Sequence, residues 1–579
     1  MLYWLPGLTI TPQFGELLEH FDSLFTDGPM PVAISGSQGP DTLSANDLAG
    51  HLVTSCISSV PVLRSIQGRS VSDDPLLHYT YRNSEFAYPS SGSALFNALS
   101  KYTYALQFQL YFLYRQCSTG ITTCGWWLCK FGSDVFPKDD TTVPSSFCGS
   151  VEVTKGSHDG NKCGLQPDCP SPLQAFLTDN LKGFRRDPSD PYSHLAECTV
   201  GSMCHVPMGF KVNDLRGLAT GGHLMIALNS FCGKSNTPLT KMRHTLSCIT
   251  KRTPRTLSDV FGFTFHLTGQ MFHEAIKQND PTTNIMSALQ PLISKIPDTI
   301  KHLFFDVTSD LQKMGSRFFD LSLHCHKVTT SSTVNKRNGS YCDHHTSEKA
   351  ADLASLSGCT NGKNCGKYLE PLAVSSGATF ANYFASTYLT WALYLTDDIY
   401  ESFQEFLDRF NSLKCTGRKN CKHDCSHPSG TSTAACSCPS VVDCSDVLPH
   451  LYAYGFSFHN AYWLKGRDYT SNQWNDNDNK RNCASFHDQL HSVISGNPLS
   501  NLLTSIDTFL YAIRWEFFSK LSGFWTIYVC IILYTFFFLL DTLHLRSHFK
   551  LTSSHTVPPL ALLTSGKPLP VTKLTYIAQ

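Results

Sequence analysis

Apolar positions recur at intervals of three and four through much of the chain, the spacing of an α-helix with one buried face. Leu95, Leu99, Tyr102, Leu106 and Leu110 place such a face on residues 93–116. Leu215 to Phe231 reads as a second helix, ending at Cys232 and Gly233. A third opens at Thr256, where Thr256-x-x-Asp259 has the form of a capping box with Asp in place of Glu. Its apolar face continues through Val260, Phe261, Phe263, Phe265 and Leu267, and the pattern resumes over Leu303–Phe319. The longest stripe covers residues 376–413, through Phe380, Phe384, Tyr388, Trp391, Leu395, Ile399, Phe403, Phe406 and Phe410. An aromatic stripe at this spacing is expected to be core.

Asn497-Pro498 has the cap and first-turn Pro of a helix start. Leu499, Leu502, Leu503, Ile506, Leu510, Ile513 and Phe517 carry its apolar face. The pattern then loses its polar side. Leu521 to Leu540, LSGFWTIYVCIILYTFFFLL, has no charged residue between Lys520 and Asp541. About 20 such residues in a helix match a hydrocarbon core of roughly 30 Å, and Trp525 and Tyr528 lie toward one end, as interfacial aromatics do. A single membrane span is expected here. Arg514 and Lys520 precede it, and Arg546 and Lys550 follow, so flanking charge does not orient it. The first 20 residues lack the basic start and continuous apolar stretch of a secretory leader.

Between the periodic stretches the chain is polar and rich in Gly, Ser and Pro, as in SGSQGPD (35–41) and SNQWNDNDNKRN (471–482). The expected organisation is an N-terminal helical region (1–116), cysteine-rich loops with a helix (117–250), a helical core region (251–414) and a cysteine-rich loop subdomain (415–496). A juxtamembrane helix (497–520), the span (521–540) and a cytoplasmic tail (541–579) complete it. The fold class expected is mainly α: a helical-bundle ectodomain with disulfide-linked cysteine-rich loops and one C-terminal transmembrane helix.

Composition sharpens the picture. Lys+Arg and Asp+Glu both number 46, and charged residues make up only 16%. No basic face for nucleic acid is indicated. The 12% aromatic content suits a packed chain. Of the 23 cysteines, Cys530 lies in the apolar span, and the remainder is even in number, which fits pairing.

C-x5-C recurs at Cys163/Cys169, Cys198/Cys204, Cys359/Cys365, Cys415/Cys421 and Cys438/Cys444. Zinc modules usually pair ligands as C-x2-4-C, and C-x2-C does not occur. Disulfides in an oxidising compartment therefore account for more of the pattern. The candidate half-cystines are those ten together with Cys425 and Cys436, with pairing undetermined by spacing. Two looser sets retain a zinc alternative: Cys421 and Cys425 with His423 and His427, and His324, Cys325 and His326 with Cys342, His344 and His345. Asn338-Gly339-Ser340 is a glycosylation sequon.

Catalytic signatures are missing. There is no Walker sequence, no G-x-S-x-G elbow, and His273-Glu274 lacks the second His of H-E-x-x-H. Asp397 and Asp398 are neighbours on a helix and face different directions. Neither catalytic residues nor a cofactor are expected, and the chain is not read as an enzyme.

Several stretches resemble large multigene families of Babesia parasites, including the variant erythrocyte surface antigens and related cysteine-rich membrane proteins. They are CKFGSDVFPK (129–138), GGHLMIALNSFCGK (221–234), KRTPRTLSDVFGFTFHLTGQMF (251–272), WALYLTDDIYESFQEFLDRF (391–410) and SSHTVPPLALLTSGKPLPVTKLTY (553–576). The resemblance implies display on the infected red cell and antigenic variation, with adhesion to host endothelium for the variant antigens proper. The partners implied are the membrane, a host receptor, host antibodies and related surface proteins, with no nucleic acid. Members of these families often lack an obvious leader. The alternative reading is a C-terminally anchored, cytosol-facing zinc-binding protein.

Overall fold

In a computed structural model of the chain, the described residues are 2, 4–32, 41–67, 88–119, 125–138, 162–167, 169–184, 206–215, 217–234, 236–250, 254–260, 302–303, 368–372, 388–415, 425–426, 436, 438, 440–444, 446–458, 464 and 481–553. They are mainly helical. The chain divides into two units, Met1–Phe509 and Leu510–Gln579.

In chain order the elements are α1 (Trp4–Leu8), α2 (Gln13–Leu24), β1 (Met30–Val32), β2 (Asp41–Leu43), α3 (Ala45–Gln67), α4 (Gly92–Ser118), β3 (Lys130–Phe131), α5 (Pro172–Leu177) and β4 (Ala219–Thr220). There follow α6 (Gly221–Phe231), α7 (Pro238–Ile249), β5 (Leu369–Pro371), α8 (Tyr388–Ser412), β6 (Lys414–Cys415) and β7 (Cys425–Ser426). The last are α9 (Val447–Ala453), β8 (Phe456–Phe458), α10 (Cys483–Ile494) and α11 (Asn497–Ser553). The strands form four antiparallel two-stranded ladders: β1–β2, β3–β4, β5–β8 and β6–β7.

Helix α4 is the hub of the first unit. The Ser91 side chain accepts from the Ala94 amide at 3.3 Å and caps its start. Leu95 and Leu99 are buried, and from Thr103 to Leu110 every residue is buried. A helix apolar on one face in sequence is thus enclosed on all sides, by α2, α6 and α7 among others. Phe112 meets Trp126, Phe176, Phe184 and Tyr452 with ring centroids between 4.8 and 6.0 Å. These contacts join α4, α5 and α9 in one aromatic core.

The polar residues of this enclosed helix are used. The Gln107 carbonyl accepts from Arg243 on α7. The Arg243 guanidinium lies 3.4 Å from Asp259 and stacks over the Tyr104 ring at 4.5 Å, while the Tyr104 hydroxyl donates to the other Asp259 oxygen. Both partners of the ion pair are 1% exposed. Asp259 also completes the capping box. Its carboxylate accepts from the Thr256 amide at 3.2 Å, and its own amide donates to the Thr256 hydroxyl at 3.1 Å. The capping box read from the sequence is therefore present, and it carries an ion pair that the sequence did not disclose.

Helices α3 and α7 are among those that escape the periodic reading. In α3, small polar residues Ser55 and Ser59 are buried, and Pro61 lies within the helix. In α7 the buried face includes Thr240, Arg243, His244, Thr245 and Ser247. The α7 face is too polar to register as a stripe, whereas that of α3 interleaves its serines with Leu48, Leu52, Cys56, Val62, Leu63 and Ile66. The helix expected from Leu215 begins only at Gly221. Gly217 has a left-handed φ of +80°, and residues 219–220 are paired with β3 instead. At Gly221 an added Cβ would lie 2.0 Å from the Trp126 carbonyl oxygen, so glycine is required for the two segments to meet. The described start of the aromatic stripe is Tyr388; residues 376–387 lie outside the described part, as does Leu303–Phe319 apart from Leu303 itself. Where its side chains are described, the stripe is core: Phe403, Phe406 and Phe410 are buried.

Helix α11 is continuous through 57 residues, which joins the juxtamembrane helix and the span expected from the sequence. Leu499, Leu502, Ile506 and Phe509 are buried within the first unit. In the second unit Phe524, Ile527, Ile531, Tyr534 and Phe537 are all more than half exposed. Among the described residues, this is the one helix long and apolar enough to cross a membrane. Of the disulfide links of the expected fold, the described part retains one half-cystine, Cys169, and no bridge between two described cysteines. Cys56, Cys117, Cys232 and Cys248 are buried thiols that fill core volume.

Removing one partner of a buried ion pair strands the other charge, at a cost of about 3–5 kcal/mol. Arg243→Met is expected to destabilise the detergent-solubilised chain by that amount in denaturant unfolding. Adding Asp259→Asn is expected to recover part of the loss.

His244 is buried with neither ring nitrogen bonded. Burial, with Arg243 adjacent, pushes its pKa down to about 3. The unfolded imidazole takes up a proton below about pH 6.5. Between those values the unfolded chain binds the extra proton, so stability falls as pH drops, by up to about 1.4 kcal/mol per unit. Stability measured from pH 7 to 4 is expected to fall less steeply in His244→Leu.

Candidate functional site

The segment 436–444 and the start of α10 bring cysteines together. Ser440 caps the 3-10 turn Val441–Asp443, its hydroxyl oxygen accepting from the Val442 amide at 3.3 Å. The same hydroxyl donates to the Leu464 carbonyl at 2.8 Å. The Val441 amide donates to the Arg481 carbonyl at 2.7 Å, and the Arg481 amide to the Leu464 carbonyl at 3.0 Å. Two residues beyond Arg481, α10 begins, with the Asn482 side chain accepting from the Ser485 amide at 2.8 Å. Helix α10 is held by Phe486, whose ring meets Phe410 of α8 at 5.0 Å and Tyr368 at 4.9 Å.

This frame sets Cys483, in the first turn of α10, against Cys436 and Cys444. The ligating sulfurs of the three lie within 4.8 Å of one another, and the Cys436 and Cys483 sulfurs are 3.7 Å apart. Cys444 and Cys483 are fully enclosed, and Cys436 is half-buried. Cys438 is buried two residues from Cys436 but lies outside this group. The hydrogen bond with Cys436, with burial adding to it, raises the Cys483 thiol well above the usual range, while the bond with Cys444 acts the other way.

The remaining sequence candidates are dispersed. Cys163 is a free buried thiol rather than half of a bridge, whereas Cys169 is disulfide-bonded. The two share the C-x5-C spacing but not a bond. Their loop is closed by backbone hydrogen bonds instead, Gly164 amide to Cys169 carbonyl at 2.8 Å and Cys169 amide to Gln166 carbonyl at 3.0 Å. The β6–β7 register sets Cys415 opposite Cys425, with their side chains outside the described part. Cys198, Cys204, Cys359, Cys365, Cys421, Asn338 and the His324–His345 set also lie outside it, as do His423 and His427. Cys436, Cys438 and Cys444 are expected half-cystines that stand here as thiols.

Cys483 was not singled out in the sequence, because 38 residues separate it from Cys444 and no motif spacing links them. Its signal was local: it follows Asn482, a good helix cap, at the end of a polar stretch. The arrangement of the sulfurs is suited to covalent pairing or to holding a soft cation. Elsewhere in the core, burial pushes the thiols of Cys56 and Cys248 up to about 12, and those of Cys117 and Cys232 higher still, so these four stay protonated.

Compared with known proteins, the chain matches no family model, no curated protein and no solved structure.

Replacing an N-cap Asn by Ala costs about 1 kcal/mol. Asn482→Ala is expected to lose that much stability in denaturant unfolding. It is also expected to raise the alkylation rate of Cys483, followed by mass spectrometry, because the cap holds the first turn that carries it.

Proposed function

We propose that the chain is a membrane-anchored surface antigen, displayed by a Babesia-like parasite on the infected red cell. The observation that carries this reading is the exposed apolar stretch of α11. Its Phe, Ile and Leu side chains face outward around the helix, and they follow a folded unit with its own extensive core. In water such a stretch would be costly, at about 25 cal/mol for each Å2 of apolar surface. In hydrocarbon it is the favourable state.

A single helical anchor suits display of the folded unit at a membrane. Segments that connect helices vary at little cost to a core, and host antibodies or a host receptor are the partners such variation would serve. Antigenic variation and adhesion enter from the sequence resemblance in residues 129–138, 221–234, 251–272, 391–410 and 553–576. The first four of these segments include parts of the frame itself: β3, α6, the Thr256 turn and α8.

Protease treatment of intact infected cells tests the reading. The large N-terminal part is expected to be cleaved while a tail epitope within residues 553–576 stays protected. Survival of the N-terminal part on intact cells, with cleavage only after lysis, would reject surface display. Deletion of residues 521–540 is expected to move the chain from carbonate-resistant membranes to the soluble fraction.

A further inference from the structure

We propose that Cys436, Cys438, Cys444 and Cys483 hold one zinc ion, which ties the 436–444 segment to the start of α10. This goes beyond surface display and does not depend on which face of the membrane bears the helical unit.

The first argument is number. A disulfide uses two sulfurs, whereas three converge here within 4.8 Å. Cys483 contacts both Cys436 and Cys444, so neither pairing accounts for the third thiol. A tetrahedral cation uses all three and one more, and Cys438, buried two residues from Cys436 but outside the 4.8 Å group, is the thiol that a small movement of the 436–444 segment would bring in.

The second argument is distance. Zn–S bonds of about 2.3 Å place sulfurs on a tetrahedron about 3.8 Å apart. The Cys436–Cys483 separation is 3.7 Å. A disulfide would require about 2.05 Å.

The third is placement. Cys444 and Cys483 are fully enclosed, as are their near neighbours in sequence Val441, Val442 and Phe486. Thiolates gathered in such surroundings need a cation to offset their charge. The amide end of α10 favours the ionised sulfur of Cys483. The Ser440, Val441 and Arg481 hydrogen bonds hold the two segments in place without the metal. Thiolate ligands select zinc over the oxygen-seeking cations, and four ligands close the site against catalysis. Each thiol releases its proton to water on binding, so acid favours loss of the ion.

The test uses the full chain, purified in detergent without chelator or reductant. Elemental analysis is expected to find about one zinc per chain. Alkylation followed by peptide mass spectrometry is expected to label Cys436, Cys438, Cys444 and Cys483 only after a chelator is added. Cobalt exchanged into the wild-type chain is expected to give the thiolate charge-transfer and tetrahedral d–d bands, a readout that needs no variant. Cys483→Ser is expected to lose the ion, and Cys248→Ser to keep it. Disulfide-linked peptides among the four cysteines would overturn the proposal. So would equal labelling with and without chelator, or zinc retained in Cys483→Ser. Protease shaving reads the face of the membrane regardless of metal, so failure of surface display and failure of the zinc site are separate results.

Discussion

The folded unit depends on a charge pair placed where no water can reach it. Arg243 and Asp259 are both almost fully enclosed, and the pair is supported by Gln107, by the Tyr104 ring and hydroxyl, and by the amides of residues 255 and 256. A buried pair is weak as a source of net stability but strict as a constraint. It is tolerated only if α4, α7 and the Thr256 turn arrive together, because any one of them missing leaves a charge or donor stranded. Asp259 binds the two demands in one carboxylate: it caps the turn and neutralises the arginine. Tertiary placement and local capping are therefore not independent here.

Around that pair, α4 acts as the shared wall of two packings. On one side it meets α2, α6 and α7. Toward α9 its Phe108 and Phe112 rings meet Tyr452, with centroids 5.2 and 4.8 Å apart. Tyr452 in turn lies on the helix that places His450 against Phe406 of α8, where the ring nitrogen meets the Phe406 carbonyl at 3.1 Å. The chain from α4 through α9 to α8 and α10 is the support on which the cysteine cluster rests. Cysteine serves two purposes along it. Single enclosed thiols such as Cys117 and Cys232 are packing groups, and the convergent ones at Cys436, Cys444 and Cys483 are chemical groups. Spacing in the sequence does not separate these two uses, as Cys163 and Cys169 demonstrate.

The elements legible beforehand are those whose signal is local. Helix α4 has an apolar repeat. The end of α8 has its aromatic stripe, and α11 has an Asn-Pro start followed by an uninterrupted apolar run. The Thr256 box needs only four residues to be recognised. What was not legible shares a different cause. Helices α3 and α7 bury serine, threonine, arginine and histidine, whose tolerance in a core depends on partners from other elements. The late start of α6 depends on Trp126 lying against Gly221, a contact between residues 95 positions apart. The cysteine site depends on Cys483, which periodicity has no means of joining to residues 436–444.

By itself, then, the sequence determined the helical class, the place and length of the one apolar run able to cross a membrane, and the caps that start its clearest helices. Each of these follows from interactions within a few residues or from the solvent preference of a contiguous segment. Only the tertiary structure decided which polar residues belong inside, which glycines admit a neighbouring backbone, and which cysteines meet. Those outcomes turn on distances between segments far apart in the chain, and a buried charge or thiol has no defined cost until its neighbours are in place.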